Sequence, residues 1–175
     1  MRIFFIWFFL MILTGCSSSK YSENPNKYLE LLGTSTQSKS FEAFVNQLEV
    51  KEIPEITDQF WNEEFPKLIG DQSLMLPQNG IEMLLKNKKI VSIKLYLPDQ
   101  DVSFANYKGH KLPLGLFSDD TEKEVKQKLK TNKDTNTNPH RNVKEFETEK
   151  VSVAIDNATG KIIYFELHEH SLEQN

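Results

Sequence analysis

The residue best placed to do chemistry in this sequence is Cys16, its only cysteine. The tripeptide Leu13-Thr14-Gly15 precedes it and ends an apolar run that starts at Ile3, directly after the positive charge of Arg2. A membrane-spanning helix needs about 20 apolar residues, so a run this short predicts a cleaved targeting signal. Small residues before the cysteine allow a peptidase to bind the backbone, and a thiolate is the nucleophile that alkyl transfer requires.

The segment Leu13-Thr14-Gly15-Cys16 resembles the lipobox of bacterial lipoproteins. This resemblance covers residues 1–17 and implies cleavage before Cys16, a diacylglycerol thioether on its sulfur and an acyl chain, such as palmitate, on its new amino group. In Gram-negative members an Asp after the cysteine favours retention in the inner membrane, so Ser17 favours the outer membrane, facing the periplasm. The alternative is an ordinary secretory signal that contains a cysteine by chance.

A second group of residues could bind a metal near the end of the chain. Glu166, His168 and His170 would share one face of a strand, and carboxylate and imidazole groups are zinc ligands. That face lies opposite Phe165 and Leu167, so it is predicted to be exposed to solvent, and the sequence offers no obvious fourth ligand. We therefore predict no metal site.

The sequence contains no recognisable catalytic motif. It has no Gly-x-Ser-x-Gly elbow, no His-Glu-x-x-His helix and no glycine-rich phosphate loop. Asp119-Asp120 precedes a predicted helix, where the helix dipole favours carboxylates for structural reasons alone. We predict that the protein is not an enzyme, has no catalytic residues and needs no cofactor.

Composition argues against several kinds of partner. The net charge is -4, and loss of residues 1–15 with the single charge of Arg2 makes it -5. A mildly acidic chain without a basic tract is poorly suited to bind nucleic acid. Once Cys16 carries a lipid, no thiol remains for a disulfide, for thiol catalysis or for cysteine-ligated zinc.

Several side chains are candidates for contact with a protein partner. Tyr96 and Tyr107 could be exposed aromatic anchors, whereas Trp61 is more typical of packing on or beside the core. Lys108 and His110 lie in a loop beside Tyr107, and the acidic charge of the chain would steer a basic partner. We predict a protein partner, which could be a toxin, bound through the solvent face of the sheet or through the loop from Lys108 to Leu116. The partner-binding residues would be Tyr96, Tyr107, Lys108 and His110, although the two tyrosines could equally pack on or beside the core.

Helical spacing predicts two short helices. The first has its apolar face on Phe41, Phe44, Val45 and Leu48, with an N-cap at Ser40. The second starts at the capping box of Thr121 and Glu124, in which the hydroxyl and the carboxylate each accept a backbone amide of the first turn.

Period-2 alternation predicts two β-hairpins with one buried face each. The first alternates over residues 81–85 and 91–97 around a turn at Asn87-Lys88, and the second over residues 151–155 and 163–167. The predicted inward positions include Ile93, Leu95, Phe165 and Leu167, and the predicted exposed positions include Lys94 and Glu166.

We divide the chain into a signal at residues 1–15, a lipidated polar tether at 16–37, an α+β domain at 38–170 and a tail at 171–175. Apolar residues from Tyr28 to Leu32 interrupt the tether and could dock on the domain. The predicted fold has antiparallel β-hairpins with short helices packed on one face. It could be a tandem helix-hairpin repeat, with halves at 38–98 and 107–170, although any two amphipathic hairpins would share such a pattern.

The domain resembles small uncharacterised bacterial domains of toxin-immunity clusters, which join a Gly-led hairpin to a Leu-Pro-x-Gly-Leu loop, a helix and a final hairpin. It departs from them at Lys130-Thr131-Asn132, where they have Gly-x-Pro. More weakly, it is similar to outer-membrane assembly lipoproteins of the BamE type and to β-lactamase-inhibitor repeats. These resemblances imply a lipid-anchored, non-catalytic protein-binding module, an immunity or inhibitor protein, with an outer-membrane assembly lipoprotein as the alternative.

Overall fold

The alternating segments of the sequence form strands of one antiparallel sheet. The computed structural model describes residues 24–58, 71–98, 107–135 and 142–169. In these residues the sheet has seven strands in the order β1-β2-β3-β4-β7-β6-β5. The strands are β1 (Thr57–Asp58), β2 (Gln72–Leu76), β3 (Ile81–Lys86), β4 (Lys89–Tyr96), β5 (Val143–Glu147), β6 (Val151–Asp156) and β7 (Ile162–His168).

Both predicted hairpins are confirmed. Strands β3 and β4 meet across Asn87 and Lys88, which both have positive φ, the backbone conformation that suits a two-residue turn between twisted strands. Strands β6 and β7 form the second hairpin. Three further strands, β1, β2 and β5, were not predicted.

Three α-helices accompany the sheet in the described residues. They are α1 (Lys27–Leu31), α2 (Lys39–Gln47) and α3 (Glu122–Leu129). The predicted cap of α2 at Ser40 is wrong, because Ser38 is the N-cap and its hydroxyl accepts the amide of Phe41 at 3.2 Å. The capping box of Thr121 and Glu124 at the start of α3 is confirmed.

One apolar core joins the helices to one face of the sheet. Phe41, Phe44 and Val45 of α2 and Val125 and Leu129 of α3 belong to the same buried cluster as the inward side chains of the strands. The four predicted inward residues are fully buried, namely Ile93, Leu95, Phe165 and Leu167. The α+β class, with helices packed on one face, is therefore observed.

Helix α1 corrects the predicted tether. Tyr28 and Leu31 are buried in the core, and the chain after the helix donates from the amide of Gly33 to the carbonyl of Ile90 at 2.8 Å. Residues 24–37 therefore belong to the domain, because they bring enough apolar surface to pack. The domain therefore includes Asn24 and does not start at residue 38 as predicted.

The two halves of the domain share a topology. Each has a helix followed by a three-stranded meander, β2-β3-β4 in the first half and β5-β6-β7 in the second, and the first half has the two-residue strand β1 in addition. The halves join where β4 pairs antiparallel with β7. Both hairpins also have a register shift at the same relative position, between Leu84 and Leu85 in β3 and between Ala154 and Ile155 in β6. This is the arrangement that a duplication would produce, and the duplication itself stays a prediction.

The outer strand β5 has its free edge covered. The backbone amide of Glu145 donates to the carboxylate of Asp134 at 3.0 Å, and its carbonyl accepts the amide of Thr135 at 2.7 Å. Asp134 also forms a bridge with Phe146. Residues just before the strand thus occupy hydrogen-bonding groups that an edge strand usually exposes. Strand β1, at the other edge, has two residues.

Candidate functional site

The face of the sheet opposite the core carries a connected group of polar side chains. We call it the tyrosine–carboxylate face, and its members lie on β2, β3, β4 and β7. They are Ser73, Glu82, Ser92, Lys94, Tyr96, Tyr164 and Glu166. They share a face because side chains alternate along a strand, and their neighbours point into the core.

Glu82 is the first of two carboxylates at the centre of this face. It accepts a hydrogen bond from the hydroxyl of Ser73 at 2.8 Å and another from the hydroxyl of Tyr96 at 2.7 Å. The ammonium group of Lys94, its cross-strand neighbour, lies 3.9 Å from the same carboxylate. Glu82 is buried, so these bonds replace the water that its charge would otherwise need.

Glu166 is held in the same way one strand further on. It accepts hydrogen bonds from the hydroxyls of Ser92 and Tyr164. Its exposure is 5%, so the prediction that Glu166 is exposed is wrong. Long side chains stand directly opposite one another on this face, and such neighbours lie close enough to cover each other. Lys94 is half-buried rather than fully exposed.

Tyr96 and Tyr164 are cross-strand partners, and each donates its hydroxyl to one of the carboxylates. Their ring centroids are 5.7 Å apart with the planes tilted by 49°. Burial raises the pKa of Tyr164 well above its ordinary value, and the charge of Glu166 adds to this effect. Both rings are half-buried, so the pair is fixed in place while part of its surface remains accessible.

Tyr107, the second aromatic candidate for partner contact, is not at the surface. Its exposure is 1%, and its ring packs edge-to-face against Tyr28 with centroids 6.2 Å apart. A Cβ added to Gly109 would lie 2.3 Å from the Tyr107 hydroxyl, so glycine is required for this packing. Tyr107 therefore anchors the following loop to the core, and its assignment as a partner-binding residue is wrong.

The other two candidates, Lys108 and His110, are exposed on that loop. We call residues 108–118 the Leu114 loop, because Leu114 projects from it with 41% of its surface exposed. Leu114 has φ 61°, a left-handed conformation that is uncommon for a branched side chain. Such backbone strain can accompany a functional position. The sequence prediction had named the loop from Lys108 to Leu116 as a partner surface without singling out Leu114.

Two further contacts hold the base of the Leu114 loop. The His110 ring lies 5.1 Å from the Phe117 ring, and its Nδ1 is 3.6 Å from the carboxylate of Asp119. Asp120 accepts the amide of Phe117 at 2.8 Å and pairs with the ammonium group of Lys128 at 2.7 Å. The Asp119-Asp120 pair thus has a structural role, as the sequence predicted.

His168 differs from its predicted environment. Its exposure is 1%, where an exposed side chain was predicted, and its Nε2 lies 3.4 Å from the hydroxyl of Ser152. Within the four described ranges, no three His, Cys, Asp or Glu side chains are arranged to bind a metal ion. His170, Trp61 and Cys16 lie outside the described residues.

A shallow, open groove follows α3 and includes no member of the tyrosine–carboxylate face. Its lining residues are Glu122, Lys123, Lys126, Gln127, Lys130 and Asn132. The pKa of Glu122 is below its ordinary value because Lys126 and Lys144 donate hydrogen bonds to it. These ion pairs lie at the surface, and the groove offers no enclosed volume for a ligand.

Comparison with known proteins adds little to this description. No protein-family model and no characterised protein sequence matches the chain. A crystal structure of an extracellular protein containing an SCP domain from Bacillus anthracis str. Ames is similar, with a TM-score of 0.47 and 10% identity. The similarity covers 85% of this chain and 47% of that chain, so this chain spans about half of that protein's length. In the part of the chain that the structure describes, no helix has the length and apolarity to cross a bilayer.

Proposed function

We propose that this chain is a lipid-anchored, non-catalytic protein-binding module of the bacterial cell envelope. The observation that carries the proposal is the fixed pair of Tyr96 and Tyr164, each held by a buried carboxylate on the face of the sheet that the described helices do not cover. Tyr96, from the sequence prediction, and Tyr164 together form the proposed contact surface.

The geometry of this pair suits a protein interface. Tyrosine contributes a large contact area and a polar hydroxyl, and it is enriched among residues that dominate binding energy. A side chain already fixed before binding loses less conformational entropy when the partner arrives. Hydrogen bonds to Glu82 and Glu166 provide this preorganisation.

The lipobox supports the anchored part of the proposal. Cys16 would carry the lipid, and Ser17 favours the outer membrane facing the periplasm if the source is Gram-negative. Between Cys16 and Asn24 a fully extended chain reaches about 28 Å, at up to ~3.5 Å per residue. An anchored domain would therefore remain close to the membrane, where tethering raises its effective concentration for partners.

The specific role that we favour is immunity against, or inhibition of, a toxin directed at the envelope. The acidic net charge of the chain would attract a basic toxin. An outer-membrane assembly lipoprotein is the alternative. A large toxin gene beside the gene for this chain would favour immunity, and envelope-assembly genes there would favour the alternative.

Affinity capture from envelope extract tests the binding function. A protein of residues 18–175 is expected to capture one partner in stoichiometric amount, and the affinity should fall as salt rises. Tyr96→Ala should weaken this affinity at least about tenfold, as loss of a dominant interface tyrosine does. Lys161→Ala, an exposed change on the β6–β7 turn, is the matched control and should have no effect. Turnover of a peptide, glycan or ester that disappears on changing His168 or His170 would instead indicate an enzyme.

Palmitate labelling tests the anchor separately. Cys16→Ala should abolish incorporation of radiolabelled palmitate and leave the signal uncleaved. Label retained in the Cys16→Ala protein would contradict lipidation at this residue.

A further inference from the structure

The Leu114 loop presents an apolar side chain among positive charges. Leu114 is 41% exposed at its tip, and Lys108 and Lys111 are exposed on its first half. The neighbouring Asp120 is already paired with Lys128, and Asp119 with His110 when the imidazole is protonated. Two exposed lysines thus lie close to the tip in sequence, although the whole chain is acidic.

The loop is held in one shape from both sides. Lys111 and Phe117 form a β-bridge, and the amide of Leu112 donates to the carbonyl of Leu116 at 2.9 Å. Leu112 and Leu116 are themselves buried in the core, so the tip cannot collapse inward. Leu114 is thus held at the surface by the backbone contacts on either side of it.

The loop also lies near the place where the chain enters the domain. The Tyr107 ring at its base packs against Tyr28 of α1, and the two hydroxyls are 3.4 Å apart. The amide of Tyr107 donates to the carbonyl of Tyr96, at the end of β4 that is distant from the Asn87-Lys88 turn. Asn24 lies at most about 28 Å from Cys16, at up to ~3.5 Å per residue, so a lipid on Cys16 would keep this end of the domain within reach of the membrane.

We propose that the Leu114 loop is a membrane-docking element. Leu114 enters the boundary between headgroups and acyl chains, and Lys108 and Lys111, on the first half of the loop, contact anionic headgroups beside it. This orients the domain and leaves the tyrosine–carboxylate face available to a protein. The inference rests on the proposed lipid anchor at Cys16.

The expected strength of docking fits an anchored protein. One leucine moved from water to an apolar environment contributes about tenfold to a binding constant, and each lysine near an anionic surface about fivefold. A free domain with only these contacts would bind vesicles weakly. The anchor holds the loop at a high effective concentration near the lipid, and the same contacts are then sufficient to keep the loop docked on the membrane.

The test uses the lipidated protein reconstituted into vesicles of phosphatidylcholine and phosphatidylglycerol. The lipid blocks Cys16, so His110→Cys introduces the single free thiol and places an environment-sensitive fluorophore on the loop. Spin-labelled lipids are expected to quench this fluorophore. A fluorophore at Lys86→Cys, at the opposite end of β3, is the matched control and should remain in water.

Further variants separate the two contributions. Adding Leu114→Ser should lower quenching at residue 110 several-fold, and so should Lys108→Glu with Lys111→Glu. The same charge change at Lys86 and Lys88 should leave quenching unaltered. Vesicles of phosphatidylcholine alone should reproduce the effect of the glutamate variants.

Two outcomes overturn the proposal. Equal accessibility of the fluorophores at residues 110 and 86 would show that the loop remains in water, and shielding of residue 110 only after envelope proteins are added would assign the loop to a protein partner. Lipidation at Cys16 is measured separately, by palmitate incorporation and by flotation of the protein with vesicles. Protein that carries no palmitate and does not float would overturn both the docking and the anchor.

Discussion

Glu166 and Lys94 stand opposite each other on β7 and β4, yet the carboxylate is buried and the lysine is half-exposed. Alternation in the sequence correctly placed both on the face opposite the core. It did not predict burial of Glu166. That burial depends on two hydroxyl donors, Ser92 on the neighbouring strand β4 and Tyr164 two residues earlier on β7. At residue scale, the pattern predicts the direction of a side chain better than its environment.

Tyr164 provides a test of this environment through pH. Its pKa is raised in the folded protein, so its contribution to stability is complete below the unfolded value of about 10 and is lost as pH rises through the folded value. The free energy of unfolding should therefore decline above pH ~10 less steeply in Tyr164→Phe than in the unchanged protein. Urea unfolding across this range measures the difference, and parallel declines would contradict the assigned environment.

Two elements whose signals are local were predicted well, although the cap of α2 was placed two residues too late. The capping box of α3 lies within four consecutive residues, and the first hairpin has both strands and its turn in one short segment. Strand β5 has a weak sequence pattern because only one of its five side chains, Phe146, is fully buried. Strand β2 is recognisable chiefly through its pairing with β3. The exposed Leu114 is part of an apolar run, from which sequence alone could not separate it from its buried neighbours.

The cap of α3 can be tested by one substitution. Thr121→Ala removes the acceptor for the amide of Glu124 and should lower the free energy of unfolding by about 1 kcal/mol. Thr121→Ser retains the hydroxyl and is the matched control, with an expected effect under ~0.5 kcal/mol. Equal losses in the two variants would mean that the methyl group, rather than the cap, stabilises the helix.

At the scale of the whole molecule, α1 extends the domain beyond its predicted start. Tyr28 and Leu31 complete a core to which both halves contribute, and the sheet is continuous only because β4 pairs with β7. Sequence reasoning placed the boundary at residue 38 because polar residues surround these two side chains. The sequence allowed, as an alternative, that the apolar residues from Tyr28 to Leu32 dock on the domain, and the structure shows Tyr28 and Leu31 docked in this way.

Removing α1 tests the corrected boundary. A chain that starts at residue 38 loses two buried side chains worth about 1.5–3 kcal/mol each, so it should be destabilised by several kcal/mol or fail to fold. A chain that starts at residue 24 retains them and should unfold at nearly the same urea concentration as residues 18–175. Equal midpoints for the chains that start at 24 and 38 would restore the original boundary.

The covered edge of β5 has a consequence if the proposed lipid anchor gathers many copies on one bilayer. Lipid anchors confine proteins to two dimensions, and an open strand edge at such crowding would template fibre growth between neighbouring copies. Asp134 and Thr135 already occupy the groups of Glu145 that a second chain would need. Strand β1, at the opposite edge, has two residues in the part of the chain that the structure describes, Thr57 and Asp58. If Cys16 is lipidated as proposed, this protection at Glu145 would lower the tendency of neighbouring copies to pair through β5.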